Sequence, residues 1–330
     1  MTKSVSVEGV DITGMSRDEA RAAILEKYPW NMTVVFGEDS YQVTNLMDSR
    51  IDSLLTEVDN SMSLYNPQSL LSRLNRNETD SADGFIAECI RTARRISEQS
   101  DGAYDITVKP LTAAYGFTGD VPVQNPDVDS LLKLVGYDKI AVENGRLRKA
   151  DPRMQIDLNS IAQGATSDYI AAYFEKLGIE EYMIEVGGEI FCRGLNAKGK
   201  PWVVGIDRPK EGNFTPGADL QVKISLSGKG LATSGNYRKF RTDSSGRKIV
   251  HTVDPRTGQP VTSDLLSATV VAETSAEADA YGTALMVMGL ERGKEFLAAH
   301  PEIQAYLIYS DEQGRFQTYV TPELGRTIAR

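Results

Sequence analysis

Histidine and cysteine are scarce in this chain, two of each in 330 residues, and the scarcity narrows the chemistry open to it. Cys89 and Cys192 lie far apart in no metal or redox spacing. They are expected as buried free thiols, which leave the cellular compartment open. An excess of basic residues is missing too. With a formal charge of −10 there is no basic stripe to neutralise phosphates, which argues against nucleic acid as a partner. Any phosphate ligand would then need a bound cation or backbone dipoles. No apolar run approaches membrane-spanning length, and Met1-Thr2-Lys3 is not followed by the apolar core of a signal peptide. The chain is therefore expected either to work inside the cell or to begin after a removed export signal. What remains, 41% apolar and 25% charged residues, is the balance of a soluble globular protein with a sizeable core in one or two domains.

The first fifty residues read as a small β-α-β-β module. A strand is expected over 5–12, a capping box at Ser16 and Glu19, a helix over 20–28 and a hairpin over 32–43. An amphipathic helix over 46–62 leads to Tyr65-Asn66-Pro67, a turn whose aromatic either stacks on a flat ligand or plugs the core. Ser69 caps a short helix, and another helix is expected over 85–100. In Ala103-Tyr104-Asp105-Ile106-Thr107, the alternation predicts an extended segment with Asp105 and Thr107 on one face.

The chain is organised around residues 154–190. An apolar run, read as a strand, breaks at Asp157-Leu158-Asn159-Ser160 into a helix that Gly178 ends, and a second strand reaches Gly187-Gly188. A turn feeding a helix N-terminus offers unpaired N–H groups to an anion. Asp157 is placed there to accept from a base edge, a ribose or a metal-bound water, or simply to cap the turn. Downstream, 222–226 and 231–234 read as a hairpin around Gly228-Lys229-Gly230. His251 precedes a Pro/Gly turn carrying Asp254 and Arg256, a suggestive place for a general base as well as for an ordinary strand histidine. Thr274 and Glu277 form a capping box for a helix over 275–289. On that helix Asp279 and Thr283 project from one face, hard-oxygen donors suited to Mg²⁺, or a buried Asp bonded to the next turn.

Together and in order, SLYNPQSLLSRLN, GAYDITVKPL, DLNSIAQGATSDYI, EVGGEI, ATSGNYRKF, HTVDPRTGQPV and ETSAEADAYGTALMVMG resemble the ApbE flavin transferases from about residue 52 onward. The resemblance implies an α+β fold (T-fold-like), mixed sheets flanked by helices around a central FAD cleft, over residues 51–330. It also implies Mg²⁺-dependent transfer of FMN from FAD, the substrate, to a Thr or Ser hydroxyl of an acceptor flavoprotein, with release of AMP. Carried over by position, Tyr65, Ala103, Tyr104, Asp105, Asp157, Gln163 and Val253 contact FAD. Ser160 (through its carbonyl), Asp279 and Thr283 hold the metal with Gly282 beside them, and His251 deprotonates the acceptor. His251 and Asp279 are the expected catalytic residues.

Many members carry Lys where this chain has Gln163, which shifts the phosphate charge onto Mg²⁺. The usual Met-Gly-Thr strand near the start is also missing, with Met32-Thr33 as a partial substitute. Family members are commonly exported lipoproteins, so a cell-envelope location is expected, against a cytoplasmic one. Membrane contact would come only through a lipid anchor. The same residues are compatible with an FAD pyrophosphatase or a non-catalytic FAD-binding protein.

Overall fold

The computed structural model describes residues 50–117, 122–123, 125–209, 217–236 and 250–329 with their side chains. It also describes the backbone of Ser6–Val7, Val10–Asp11, Thr33–Phe36, Asp39–Gln42, 45–49, Phe240–Thr242 and Lys248–Val250. The chain divides into two units, Met1–Ser49 and Arg50–Arg330.

In the first unit β1 (Ser6–Val7) pairs with β2 (Val10–Asp11), so the run expected as one strand holds two short paired ones. The expected hairpin is β3 (Thr33–Phe36) with β4 (Asp39–Gln42). The Ser16–Glu19 capping box and the helix over 20–28 fall outside the described residues.

The second unit begins with helix α1 (Asn45–Met62 in full). Ser69 then caps α2 (Leu70–Asn75) by accepting the Ser72 N–H. In α3 (Gly84–Gln99) Asp83 is the N-cap, and Ile86, Cys89, Ile90, Ala93 and Ile96 form the buried stripe that helical spacing requires. The segment after Ala103 is not the extended strand expected from its alternation. A 3₁₀ turn, Ile106–Val108, runs into α4 (Lys109–Ala114). The Asp105 carboxylate draws the chain into that turn by accepting the Thr107 N–H and hydroxyl, and Pro110 fits the first helical turn, where no N–H is needed. After α5 (Val128–Leu132), β5 (Ile140–Glu143) and β6 (Arg146–Lys149) form a hairpin.

Residues 154–158 join no ladder, so the strand expected there is absent. The buried Asn75 amide serves as its partner, donating to the Ile156 carbonyl (2.8 Å) and accepting its N–H (2.7 Å), while the Asp157 N–H donates to Ile106 (2.7 Å). This segment leads into α6 (Ala162–Lys176).

The centre of the unit is a six-stranded sheet. It comprises β7 (Tyr182–Val186), β8 (Glu189–Arg193), β11 (Lys229–Gly235), β14 (Leu265–Ala272), β15 (Gln304–Ser310) and β16 (Phe316–Val320), in the order 16-15-14-11-8-7. Each of its ladders is antiparallel. Side-chain alternation assigns its two faces. Ala232, Ala268, Val270, Ala305 and Leu307 pack on the helical side, with Ile161 and Ala165 near the start of α6 and with α7 (Ser275–Ala299). Leu231, Val271, Tyr306 and Ile308 pack on the opposite side, against a ribbon of β9 (Trp202–Asp207) and β10 (Leu220–Leu226) and against Leu324 of α8 (Pro322–Arg326). That double covering explains why β14 is buried along nearly its whole length, Ser267 and Thr269 included.

The hairpin expected from β10 and β11 does not form: β10 pairs with β9, while β11 pairs with β8 and β14. The chain changes layers at Gly228 (φ 66°), whose N–H donates to Cys192, and Ile224 and Leu226 thereby meet Leu231 in the inter-layer core. Phe240–Thr242 and Lys248–Val250, β12 and β13, form a small hairpin just before His251. In α7, Gly289 takes φ 73° and ψ −176°, a break at the point where the helix expected over 275–289 ends.

Two glycines set how closely α7 approaches its neighbours. A Cβ on Gly164 of α6 would collide with the Ser275 carbonyl and come within 2.7 Å of the Ala276 nitrogen. One on Gly230 of β11 would strike the Thr274–Ser275 backbone. Helix propensity alone would favour Ala over Gly at 164 by about 1 kcal/mol. Backbone has no rotamer with which to yield, so the clash should win. Gly164→Ala is expected to lose about 1–3 kcal/mol in denaturant unfolding at unchanged m-value. An unchanged midpoint would show that the helices have slack.

Candidate active site

Eleven of the twelve residues singled out in the sequence line one cavity of about 1180 Å³ within the second unit. Tyr65 comes from the turn between α1 and α2, and Ala103, Tyr104 and Asp105 from the segment after α3. Asp157, Ser160 and Gln163 come from the turn into α6, His251 and Val253 from the stretch after β13, and Asp279 and Thr283 from α7. The twelfth, Gly282, does not line the cavity. It faces β11, where a Cβ would come within 2.8 Å of Ser234 Oγ, so its place on α7 reflects close packing behind Asp279 and Thr283.

Tyr65 is 73% exposed, which excludes the core-plug alternative. Its ring stands free at the cavity rim. Tyr104 is the reverse, fully buried, with its hydroxyl 3.1 Å from Ser160 Oγ and 3.4 Å from the Ser160 carbonyl. Burial drives its phenol upward in pKa, so it remains a neutral hydrogen-bonding group. Asp105 spends its oxygens on the chain itself: Oδ1 accepts from Thr107, and Oδ2 accepts the Tyr137 N–H at 2.8 Å. It shapes the wall through the backbone it fixes. Asp157 Oδ1 accepts the Asn159 N–H (2.9 Å), which shapes the turn before α6. Gln163 is exposed on the first turn of α6, with its amide against Gly187 of the β7–β8 turn.

His251 is half-buried, its ring edge-on to Phe117 with centroids 6.4 Å apart. The residues after it are pinned. The Thr252 hydroxyl donates to Asn236 (2.8 Å), the Val261 N–H donates to the Thr252 carbonyl, and Val253 bridges Pro260. The Asp254–Arg256 ion pair closes the following turn at 2.7 Å.

Asp279 sits where a charge is costly. Burial pushes its carboxyl up to about 7, against the Gly164 N–H, which favours the ionised form, and with the nearby Asp168 adding repulsion. Its Oδ2 is buried without a hydrogen-bond partner. A carboxylate oxygen buried and unsatisfied beside a cavity is a position that a cation would stabilise. Thr283 lies one turn further along α7 and lines the same cavity. With the Ser160 carbonyl the donors are all oxygen, a set that suits a hard divalent ion with open positions for substrate oxygens. Among the described residues no three His, Cys, Asp or Glu side chains cluster as a metal site, so the protein's share would be one carboxylate plus neutral oxygens.

Sequence reasoning passed over several participants. Glu185, Thr233 and Ser234 also line the cavity. Asp168 does not line it, yet its carboxylate accepts the Ser275 and Ala276 N–H groups at the start of α7 (2.8 and 2.9 Å). Its one sequence signal is the spacing from Gly164, a single helical turn. The capping box is also only half made: Thr274 accepts the Glu277 N–H (3.2 Å), while the Glu277 carboxylate pairs with Arg95.

Residues 28–307 match the ApbE family, a span that starts upstream of the motifs seen in the sequence. The chain is 33% identical over 288 residues to the FAD:protein FMN transferase of Escherichia coli K12, covering 84% of this chain and 80% of that protein. It is 35% identical over 278 residues to the enzyme of the same description from Haemophilus influenzae, covering 80% and 78%. Among solved structures it resembles the flavin transferase ApbE from Vibrio cholerae (TM-score 0.75, 31% identity, 86% of this chain and 91% of that one). It also resembles the apo form of the Pseudomonas stutzeri flavinyl transferase ApbE (TM-score 0.76, 28% identity, 90% and 95%).

Proposed function

The chain belongs to the ApbE family, and from that premise we propose that it is a flavin transferase that moves FMN from FAD onto a hydroxyl of an acceptor protein. The observation that carries this reading is the gathering of residues from Tyr65 to Thr283 around one cavity.

In this reading Tyr65 stacks on the flavin nucleotide at the rim, and the buried Tyr104–Ser160 contact fixes the turn that faces the diphosphate. Asp279, Thr283 and the Ser160 carbonyl would hold Mg²⁺, which neutralises charge on the diphosphate oxygens in a chain that is itself acidic. The hydroxyl of an acceptor Thr or Ser attacks the FMN phosphorus. The new bond is oxygen to phosphorus, the bond from that phosphorus to the AMP oxygen breaks, and AMP leaves. The hydroxyl proton passes to His251, the cavity's one imidazole among the described residues. Gln163 cannot supply a positive charge, so the reliance on the cation for that neutralisation is greater.

Incubation with FAD, Mg²⁺ and a candidate acceptor, followed by intact mass of the acceptor, tests this directly. The expected result is a gain of one FMN on the acceptor and free AMP. Free FMN beside an unmodified acceptor would instead identify a pyrophosphatase, and FAD recovered unchanged would identify a binding protein.

A further inference from the structure

The start of α7 is held in an unusual way. Four N–H groups at a helix N-terminus lack internal partners, and a local Ser or Thr ordinarily serves one. Thr274 does so here, accepting from Glu277. The two preceding N–H groups, of Ser275 and Ala276, both donate to one carboxylate on a different helix, Asp168 of α6, one to each oxygen. One turn earlier on α6, Gly164 lies so close to Ser275 that no Cβ fits, and its N–H stabilises the Asp279 carboxylate. The two helices therefore exchange contacts: α6 offers an N–H to the acid of α7 and an acid to the N–H groups of α7.

We propose that Asp168 is a positioning residue for the transfer reaction: by gripping the first two N–H groups of α7 it sets the height at which Asp279 and Thr283 face the Ser160 turn. This rests on the flavin-transfer reading. The argument is one of register. Asp279 and Thr283 follow Ser275 by one and two helical turns, so a shift at Ser275 is passed along a rigid helix to both. Thr274 serves one N–H of the helix end locally, but it does not tie that end to α6, which also carries the N-terminal turn next to Ser160.

The test compares three variants. Asp168→Asn keeps the shape but replaces one acceptor oxygen with an NH₂ that faces an N–H. Asp168→Glu keeps both acceptors on a longer arm and guards against a folding failure of the first. Thr274→Ala removes the local cap of the same helix end. Mn²⁺ binding to the FAD-loaded protein is followed by electron paramagnetic resonance, beside thermal unfolding and kcat for FMN transfer. Both Asp168 variants are expected to weaken Mn²⁺ by about tenfold or more and to lower kcat alongside. Thr274→Ala should lose stability with Mn²⁺ affinity unmoved. Unchanged Mn²⁺ affinity in the Asp168 variants, or an equal loss in Thr274→Ala, would reduce Asp168 to a stabilising cap and overturn the proposal. A wild-type protein that transfers no FMN would refute the flavin-transfer reading. The Mn²⁺ comparison would still decide the role of Asp168.

Discussion

Asp279→Asn is expected to lower FMN transfer by more than about a hundredfold while leaving the protein as stable as before, or more stable in metal-free buffer. The two effects have one cause. Asp279 Oδ2 is buried without a partner, and burial holds the carboxyl near 7, so the ionised group is a cost to the empty fold. The amide keeps the shape and removes the charge that a cation would need. The pH dependence follows with a definite sign. Asp279 and Asp168 are both pushed up to about 7. Between about 4 and 7 the metal-free native state therefore holds protons that the unfolded chain has released, and stability falls as pH rises through that window. Asp279→Asn should flatten the fall, as measured by urea unfolding across the range. A variant that keeps full turnover would remove Asp279 from the metal site, and one that is markedly less stable would show that its charge holds the fold.

His251→Ala should slow transfer by about 10²–10⁴-fold with FAD affinity little changed. The imidazole lines the cavity on a stretch whose backbone is fixed on its far side by Thr252 and Val253, and its ring touches Phe117 at an edge. Truncating it should leave the wall standing and remove a proton acceptor. Initial rates of acceptor mass gain, set beside FAD titrations by flavin fluorescence, separate the two roles. A weaker FAD complex with normal turnover would make His251 a binding residue, and the base would have to be sought elsewhere in the cavity.

What was legible in the sequence was what depends on local pattern. Asp279 and Thr283 could be paired because four residues on a helix is one face, and Thr274 could be placed as a cap because the helix begins beside it. Gly289 marked the break in α7 because a left-handed residue is a poor fit inside a helix. Where distant partners decided the outcome, local pattern misled. Asp105 and Thr107 alternate as a strand does, but the carboxylate bonds to its own neighbour's backbone and turns the chain. Residues 154–158 look like a strand in sequence, yet the partner of Ile156 is the Asn75 side chain, about eighty residues away. The β10–β11 pair has the pattern of a hairpin, and only the inter-layer core reveals that the chain crosses between sheets. Asp168 was invisible because its partners lie more than a hundred residues further on.

The strand β14 has helices on one face and the ribbon on the other, and beyond the irregularity between Leu265 and Ser267 its side chains go alternately to each. Its even-numbered positions 268, 270 and 272 thus share packing with the helix that bears the acidic donor, whereas Val271 belongs to the layer remote from it. Natural variation along this one strand should accordingly follow parity. Changes of volume at even positions would be felt as altered turnover, and those at 271 as altered melting alone.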